Sequence, residues 1–133
     1  MASFNFIIAY VADVPKSAAL YGKLLGLKPV EASANFAMFV LPNSVQLGLW
    51  ASHDVAPAAN RPGGVELCFA AADEAAVNAL LTEWRDLGLA VVQPPAIMDF
   101  GYTFTAVDPD GHRLRVFAPG VTAVHSRAAV EAG

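Results

Sequence analysis

Few side chains in this 133-residue sequence have the chemistry of a reactive site, and they lie far apart along the chain. The one cysteine, Cys68, stands in an apolar segment with no neighbour that would lower the pKa of its thiol, so we expect a buried, inert thiol. His53 lies in a loop-like segment, His112 in a turn and His125 near the end of the chain. What these residues can do therefore depends on the elements that position them.

Those elements form an internal repeat. Residues 38–51 (MFVLPNSVQLGLWA) are followed 67 positions later by a similar segment at 105–119 (TAVDPDGHRLRVFAP). Residues 6–13 (FIIAYVAD) are matched 60 positions later by 66–73 (ELCFAAAD), and a helix-like run ending at a glycine follows each. A repeat on this scale indicates one supersecondary unit used twice. We predict a strand, a helix and three strands in each copy.

Local signals give the bounds of these elements. Asp13 and Asp73 are predicted helix N-caps, and Gly26 and Gly88 predicted helix ends. Residues 98–101 either extend a strand or form a lid beside it. The predicted strands span residues 4–12, 28–33, 36–41, 45–51, 65–71, 90–93, 102–107 and 113–117.

The chain is long enough for one domain with a real core. We predict a single domain over 1–120, built of a first module (about 4–51) and a second module (about 65–119). A Pro-, Gly- and Ala-rich linker at 52–64 joins them. Residues 121–133 are predicted to be a tail, either a short helix or frayed.

Composition excludes some functions. Hydrophobic residues make up 56% of the chain, yet no apolar run is long enough to span a bilayer, so the excess is expected between subunits of a homodimer or around a cavity. The net charge is −4 and the 8 Lys and Arg are dispersed, which argues against nucleic acid and membranes as partners. A single cysteine fits a reducing, cytoplasmic location.

The repeat and its motifs resemble the glyoxalase, bleomycin-resistance and ring-cleaving dioxygenase superfamily, also called the vicinal oxygen chelate fold. The resemblance covers about residues 4–119 and is carried by 11–27 (VADVPKSAALYGKLLGL), 63–76 (GGVELCFAAADEAA) and 106–117 (AVDPDGHRLRVF). It implies an α+β fold of two tandem βαβββ modules, whose curved mixed sheets surround a cavity. It also implies a dimer.

Enzymes of this superfamily hold a divalent metal with four side chains, two from each module. The matching positions here are Phe6, Gly48, Glu66 and Arg115. Phenylalanine and glycine offer no side-chain ligand and arginine is a permanent cation, so we expect no bound metal and no other cofactor.

Side chains two apart on a strand share a face, so the resemblance also implies which residues line the cavity. The predicted ligand-binding residues are Phe6, Ile8, Tyr10, Gln46, Gly48, Trp50, Glu66, Cys68, Arg113, Arg115 and Phe117. Such a cavity suits a flat, partly polar small molecule that stacks on aromatic rings. Asp99 is either a rim carboxylate that touches the ligand or a solvated charge.

The resemblance places Glu66 and Arg115 in one former coordination sphere, where they are expected to pair. The pair either neutralises two buried charges and holds the modules together, or contacts a ligand, or does both.

Three functions remain open. The first is a metal-free binding protein like the antibiotic-sequestering members of the superfamily. The second is a metal-independent lyase or isomerase that uses Glu66 as general base and Arg115 to stabilise an oxyanion, although the arginine should weaken that base. The third is a dimeric interaction module with a vestigial cavity. Whether the protein is an enzyme is therefore left open.

Overall fold

The computed structural model describes residues 2–120, so the predicted tail and His125 lie outside the described residues. The elements follow the predicted order. They are β1 (Phe6–Val11), α1 (Val14–Leu25), β2 (Glu31–Ala32), β3 (Phe36–Val40), β4 (Gln46–Ala51), β5 (Glu66–Ala70), α2 (Glu74–Asp86), β6 (Ala90–Met98), β7 (Gly101–Val107) and β8 (Arg113–Pro119). A short 3-10 turn at Ser52–Asp54 begins the linker.

The chain divides into two compact units at Pro62 and Gly63, and each unit contains one module. The first holds a four-stranded sheet of order β1-β4-β3-β2, and the second a sheet of order β5-β8-β7-β6. In each sheet the first and last strands of the module pair in parallel and the other pairs are antiparallel. The predicted α+β fold of two βαβββ modules is confirmed.

The helices begin at the predicted caps. Asp13 Oδ1 accepts a hydrogen bond of 3.1 Å from the backbone N–H of Lys16, and Asp73 Oδ1 one of 2.8 Å from Ala76. These bonds satisfy amide groups that the first turn of a helix leaves without partners. Each helix then packs on one face of its own sheet.

Trp84 is the largest buried side chain of the second module. On α2 it lies edge-on between Phe69 of β5, with ring centroids 5.1 Å apart, and Phe104 of β7, at 5.4 Å. Phe69 and Phe104 therefore mark the helix-covered face of the second sheet. Trp84, only 1% exposed, is therefore a core residue of this module. We call the side of each sheet away from its helix the open face of that sheet.

Strand β6 differs most from its prediction. Its predicted end at Gln93 is wrong, because the strand continues through Pro94-Pro95 to Met98. Proline is tolerated since β6 is an edge strand and its pairing with β7 shifts register on both sides of Gln93. Residues 98–101 do extend this hairpin: Asp99 and Phe100 form the turn, and Gly101 begins β7.

Strand β2 is much shorter than predicted, with two residues, Glu31 and Ala32, instead of six. Within residues 2–120, neither helix has the length and apolar character required to cross a membrane.

Candidate functional site

The open face of the second sheet carries polar side chains because side chains alternate between the two faces along β7 and β8. On β8 the residues Leu114, Val116 and Ala118 are buried toward α2, so Arg113 and Arg115 point to the opposite side. On β7, Phe104 packs on Trp84, and its neighbours Thr103 and Thr105 share the open face with the arginines.

An ion pair between Arg115 and Glu66 dominates this face. Arg115 Nε donates to Glu66 Oε1 at 2.8 Å and Nη2 donates to Oε2 at 3.0 Å, a two-pronged geometry that a guanidinium and a carboxylate match well. The Arg115 side chain is 13% exposed and that of Glu66 28% exposed. The pair joins β5 to β8 within the second module, so the expectation that it holds the two modules together is wrong.

Further polar groups hold the other end of the guanidinium. Arg115 Nη1 donates to Gln93 Oε1 at 2.9 Å and to Thr103 Oγ1 at 3.3 Å. Gln93 Oε1 also accepts from Thr105 Oγ1 at 3.2 Å. Because it is held on two sides, the guanidinium is fixed in place. We call Glu66, Gln93, Thr103, Thr105 and Arg115 the Arg115 cluster.

Sequence reasoning missed Gln93, Thr103 and Thr105. The two threonines could have been found, since the Asp108-to-Gly111 turn sets the register of β7 against β8 and puts Thr105 opposite Arg115. Gln93 could not have been found by alternation, because the register shifts around it reorient the strand.

Electrostatics keep the pair ionised. The hydrogen bonds from Arg115 lower the pKa of Glu66, outweighing the partial burial that would raise it. The same bonds raise the pKa of Arg115. A carboxylate with a lowered pKa is a weak general base at neutral pH, so this geometry counts against proton abstraction by Glu66.

A hollow of about 240 Å³ opens beside the cluster, lined by Val92, Gln93, Thr105, Arg113 and Arg115. Arg113 lies directly opposite Glu66 in the strand register, yet its Nη1 stays 3.9 Å from Glu66 Oε2 and its side chain is 61% exposed. The guanidinium of Arg113 therefore adds positive charge to the hollow and remains largely hydrated.

Two aromatic rings border the cluster. Phe100, in the turn between β6 and β7, lies under Arg115, with 5.5 Å from Cζ to the ring centroid. Its ring meets Phe117 of β8 edge-on, with centroids 6.2 Å apart. Phe100 is 44% exposed and was not among the predicted site residues. Apolar stacking surface thus adjoins the charged pair.

Cys68 corrects one prediction. The thiol is exposed, not buried, because Cys68 shares the open face with Glu66 and not the helix-covered face with Phe69. Local burial and then the charge of Glu66 raise its pKa, so the expectation of weak nucleophilicity agrees with the electrostatics.

The open face of the first sheet carries aromatic side chains, whereas the open face of the second sheet carries charged ones. The rings of Phe6 and Phe36 both lie over Gly48, and a Cβ on Gly48 would come within 2.9 Å of each ring. Position 48 corresponds in the repeat to Arg115, and position 6 to Glu66. A glycine with two rings above it thus takes the place of the ion pair.

The other predicted residues of the first module share this face. Trp50 lies opposite Tyr10 in the parallel register, with ring centroids 6.4 Å apart, and Ile8 is 43% exposed beside them. Gln46 lies opposite Phe6. That residues of both modules line one cavity stays a prediction.

The four positions that hold a metal in related enzymes do not fit a metal here. Both oxygens of Glu66 already accept hydrogen bonds from Arg115, whose fixed positive charge would repel a cation. Phe6 and Gly48 have no donor atoms in their side chains. Within residues 2–120, no three His, Cys, Asp or Glu side chains come together as metal ligands.

Two aspartates remain: the contacts give Asp108 a structural role and define none for Asp99. Asp108 Oδ1 accepts from the backbone N–H groups of Asp110 and His112, both at 2.9 Å, which shapes the turn before β8. Asp99 is exposed in the β6–β7 turn.

Comparison with known proteins identifies the family. The family model described as Glyoxalase/Bleomycin resistance protein/Dioxygenase superfamily matches residues 3–116. The chain belongs to this superfamily.

Three proteins illustrate the similarity. The protein ATC0852 of Agrobacterium tumefaciens, with a solution structure, is 48% identical, with a TM-score of 0.84 over 90% of this chain and 98% of that one. The phenazine antibiotic resistance protein EhpR of Enterobacter agglomerans is 27% identical over 115 residues, which are 84% of this chain and 88% of EhpR. A glyoxalase-related enzyme of Fulvimarina pelagi, at 22% identity, has a TM-score of 0.79 over 89% of this chain and 88% of its own, and supports the fold alone.

Proposed function

We propose that this chain is a metal-free member of the superfamily that binds and sequesters a small, planar aromatic molecule. The observation that carries the proposal is the Arg115–Glu66 pair at two of the four positions where related enzymes hold a metal. A guanidinium held by a carboxylate cannot polarise a substrate as a divalent ion does, but its flat, charged face suits contact with an aromatic ring.

The surroundings of the pair support an aromatic ligand. Phe100 offers exposed ring surface beside the cluster, and Phe117 adds a half-buried ring. The hollow next to the cluster is lined by Gln93 and Thr105. Binding sites for small molecules combine apolar surface with a few fixed polar groups in this way. In the first module, Trp50 and Tyr10 form another aromatic surface, and we propose that this surface also contacts aromatic ligands.

The relation to EhpR supports antibiotic sequestration. That protein is named for resistance to a phenazine antibiotic, and a phenazine is a flat, three-ring molecule. Phenazines are therefore the first probes to use here. The lowered pKa of Glu66 makes the alternative, a metal-independent lyase or isomerase, the weaker proposal.

We also propose that the protein is a cytoplasmic homodimer. Its sequence is 56% hydrophobic, and large apolar side chains on or next to β6 are exposed, among them Val92 and Ile97 at 51% and 55%. Sedimentation of the purified protein at micromolar concentration should give the mass of two chains. The mass of one chain would contradict the proposal.

The test of binding is calorimetric titration of the purified protein with phenazine and other planar aromatic compounds. Saturable binding is expected, and Phe100→Ala should weaken it about tenfold because stacking surface is lost. Phe4→Ala is the matched control, since Phe4 is 84% exposed and precedes β1. No binding by any planar compound, or equal losses in the two variants, would refute the proposal.

A further inference from the structure

We propose that the ligand carries an anionic group, such as a carboxylate, and that Arg113 binds this group in the hollow beside the Arg115 cluster. The inference rests on the proposed function and specifies the class of molecule that is sequestered.

The local charge favours an anion. Glu66 contributes one negative charge and Arg113 and Arg115 one positive charge each, so these three side chains sum to +1. Because Glu66 is joined to Arg115 by two short hydrogen bonds, their charges largely cancel at the hollow. The charge of Arg113 is left over.

The hydrogen-bond donors of Arg113 are the ones available. Within residues 2–120 its guanidinium makes no hydrogen bond, and its nearest carboxylate oxygen, Glu66 Oε2, is 3.9 Å away. Arg115, in contrast, already donates hydrogen bonds to Glu66, Gln93 and Thr103. Arginine presents several N–H groups in one plane, and a carboxylate is the anion that this geometry accepts through two bonds.

The position of Arg113 joins the charge to the aromatic surface. Arg113 and Arg115 are two residues apart on β8 and line the same hollow, and the ring of Phe100 lies against Arg115. A flat molecule stacked at Phe100 could therefore extend a carboxylate toward Arg113 along this face. Thr105 and Gln93 line the same hollow, and the hydrogen bond from Thr105 Oγ1 holds Gln93 Oε1 in place.

The experiment compares two probes that differ in charge and hardly in shape, phenazine-1-carboxylate and phenazine-1-carboxamide. At pH 7 and low salt the acid should bind about ten times more tightly than the amide. Raising the salt concentration should weaken binding of the acid and leave the amide nearly unaffected.

Variants assign the preference to Arg113. In Arg113→Gln the ratio of the two dissociation constants should fall to about two or less, and Arg113→Lys should restore part of it. Arg85→Gln is the control of equal charge, since Arg85 is exposed on α2, on the other side of the sheet. That variant should keep the tenfold ratio.

The outcomes separate this inference from the proposed function. A ratio near one in the native chain, or a ratio unchanged in Arg113→Gln, overturns the anionic ligand while binding itself stands. If the amide or phenazine binds and the acid does not, the anionic ligand is likewise ruled out while binding of planar molecules stands. If neither these probes nor any other planar compound binds, both the inference and the proposed function fail.

Discussion

Glu66 forms its hydrogen bonds with Arg115, its diagonal neighbour on β8, whereas Arg113, the residue directly opposite in the strand register, makes only a longer ion pair with it. The distances are 2.8 Å from Arg115 Nε to Glu66 Oε1 and 3.9 Å from Arg113 Nη1 to Oε2. One arginine is thereby fixed by its partner and the other is kept for solvent or a ligand. This division of roles between two arginines of one strand underlies both proposals.

The ion pair makes stability depend on pH. The pKa of Glu66 is lowered in the folded protein, so its contribution is fully present above the ordinary carboxyl range, near pH 4.5, and is lost as the pH falls through the lower folded value. Glu66→Gln should therefore lower the free energy of unfolding at pH 7 by about 2 kcal/mol and flatten the fall of this free energy below about pH 4.5.

Urea unfolding at a series of pH values measures both the loss of stability at pH 7 and the fall of stability in acid. Glu83→Gln, at an exposed position of α2, is the control and should change both quantities little. An acid profile of Glu66→Gln that matches the native chain would contradict the assigned role of the pair.

The energy of the pair itself can be isolated by a double-mutant cycle. Glu66→Gln leaves Arg115 without an opposite charge, and Arg115→Met does the same to Glu66. The double variant should therefore be more stable than the sum of the two single losses predicts. A coupling of about 1–3 kcal/mol in urea unfolding is expected. A coupling near zero would mean that water screens the two charges, despite an Arg115 side chain only 13% exposed.

Gly101 positions the turn that carries Phe100. Its φ is 153°, which side chains with a Cβ rarely adopt, and a Cβ there would collide with the carbonyl oxygen of Ala118 on β8. Gly101→Ala should cost about 3 kcal/mol of stability through strain and collision together. Gly111→Ala, with a φ of 92° and open space around it, should cost only the strain, about 1 kcal/mol. Equal losses on thermal unfolding would contradict this assignment.

The exposed thiol of Cys68 reports on the same face. Partial burial and the charge of Glu66 raise its pKa, so modification by a disulfide reagent at pH 7 should be slower than for a free cysteine. The rate should rise in Glu66→Gln and fall when an aromatic ligand covers the face. The urea-unfolded chain is the control, and its single thiol should react at the rate of a free cysteine. No protection by a bound planar compound would place the ligand elsewhere.

The fold was largely predictable because its signals are local and occur twice. Asp13 and Asp73 cap the two helices as their side-chain chemistry requires, and the strand-turn-strand motif repeats with matching turns. The end of β6 was not predictable in this way. Pro94 and Pro95 argue against a strand unless it lies at an edge, and the position of a strand in a sheet is not local information.

The site was predictable only in part. The family resemblance brought Glu66 and Arg115 together, and alternation placed Trp50 on an open face. Cys68 was expected to be buried because its sequence neighbours are apolar, but apolar neighbours do not say which face of the strand a helix covers. Gln93 needed the register shifts of β6, which depend on packing between strands and leave no mark in the residue pattern.

The central claim is that the protein binds planar aromatic molecules without a metal. The most direct measurement is calorimetric titration with phenazine-1-carboxylate before and after treatment with a chelator, together with the metal content of the same sample. We expect less than about a tenth of a metal ion per chain and the same dissociation constant in both titrations. One tightly bound divalent ion per chain, or binding that disappears with the chelator and returns with the metal, would contradict the account.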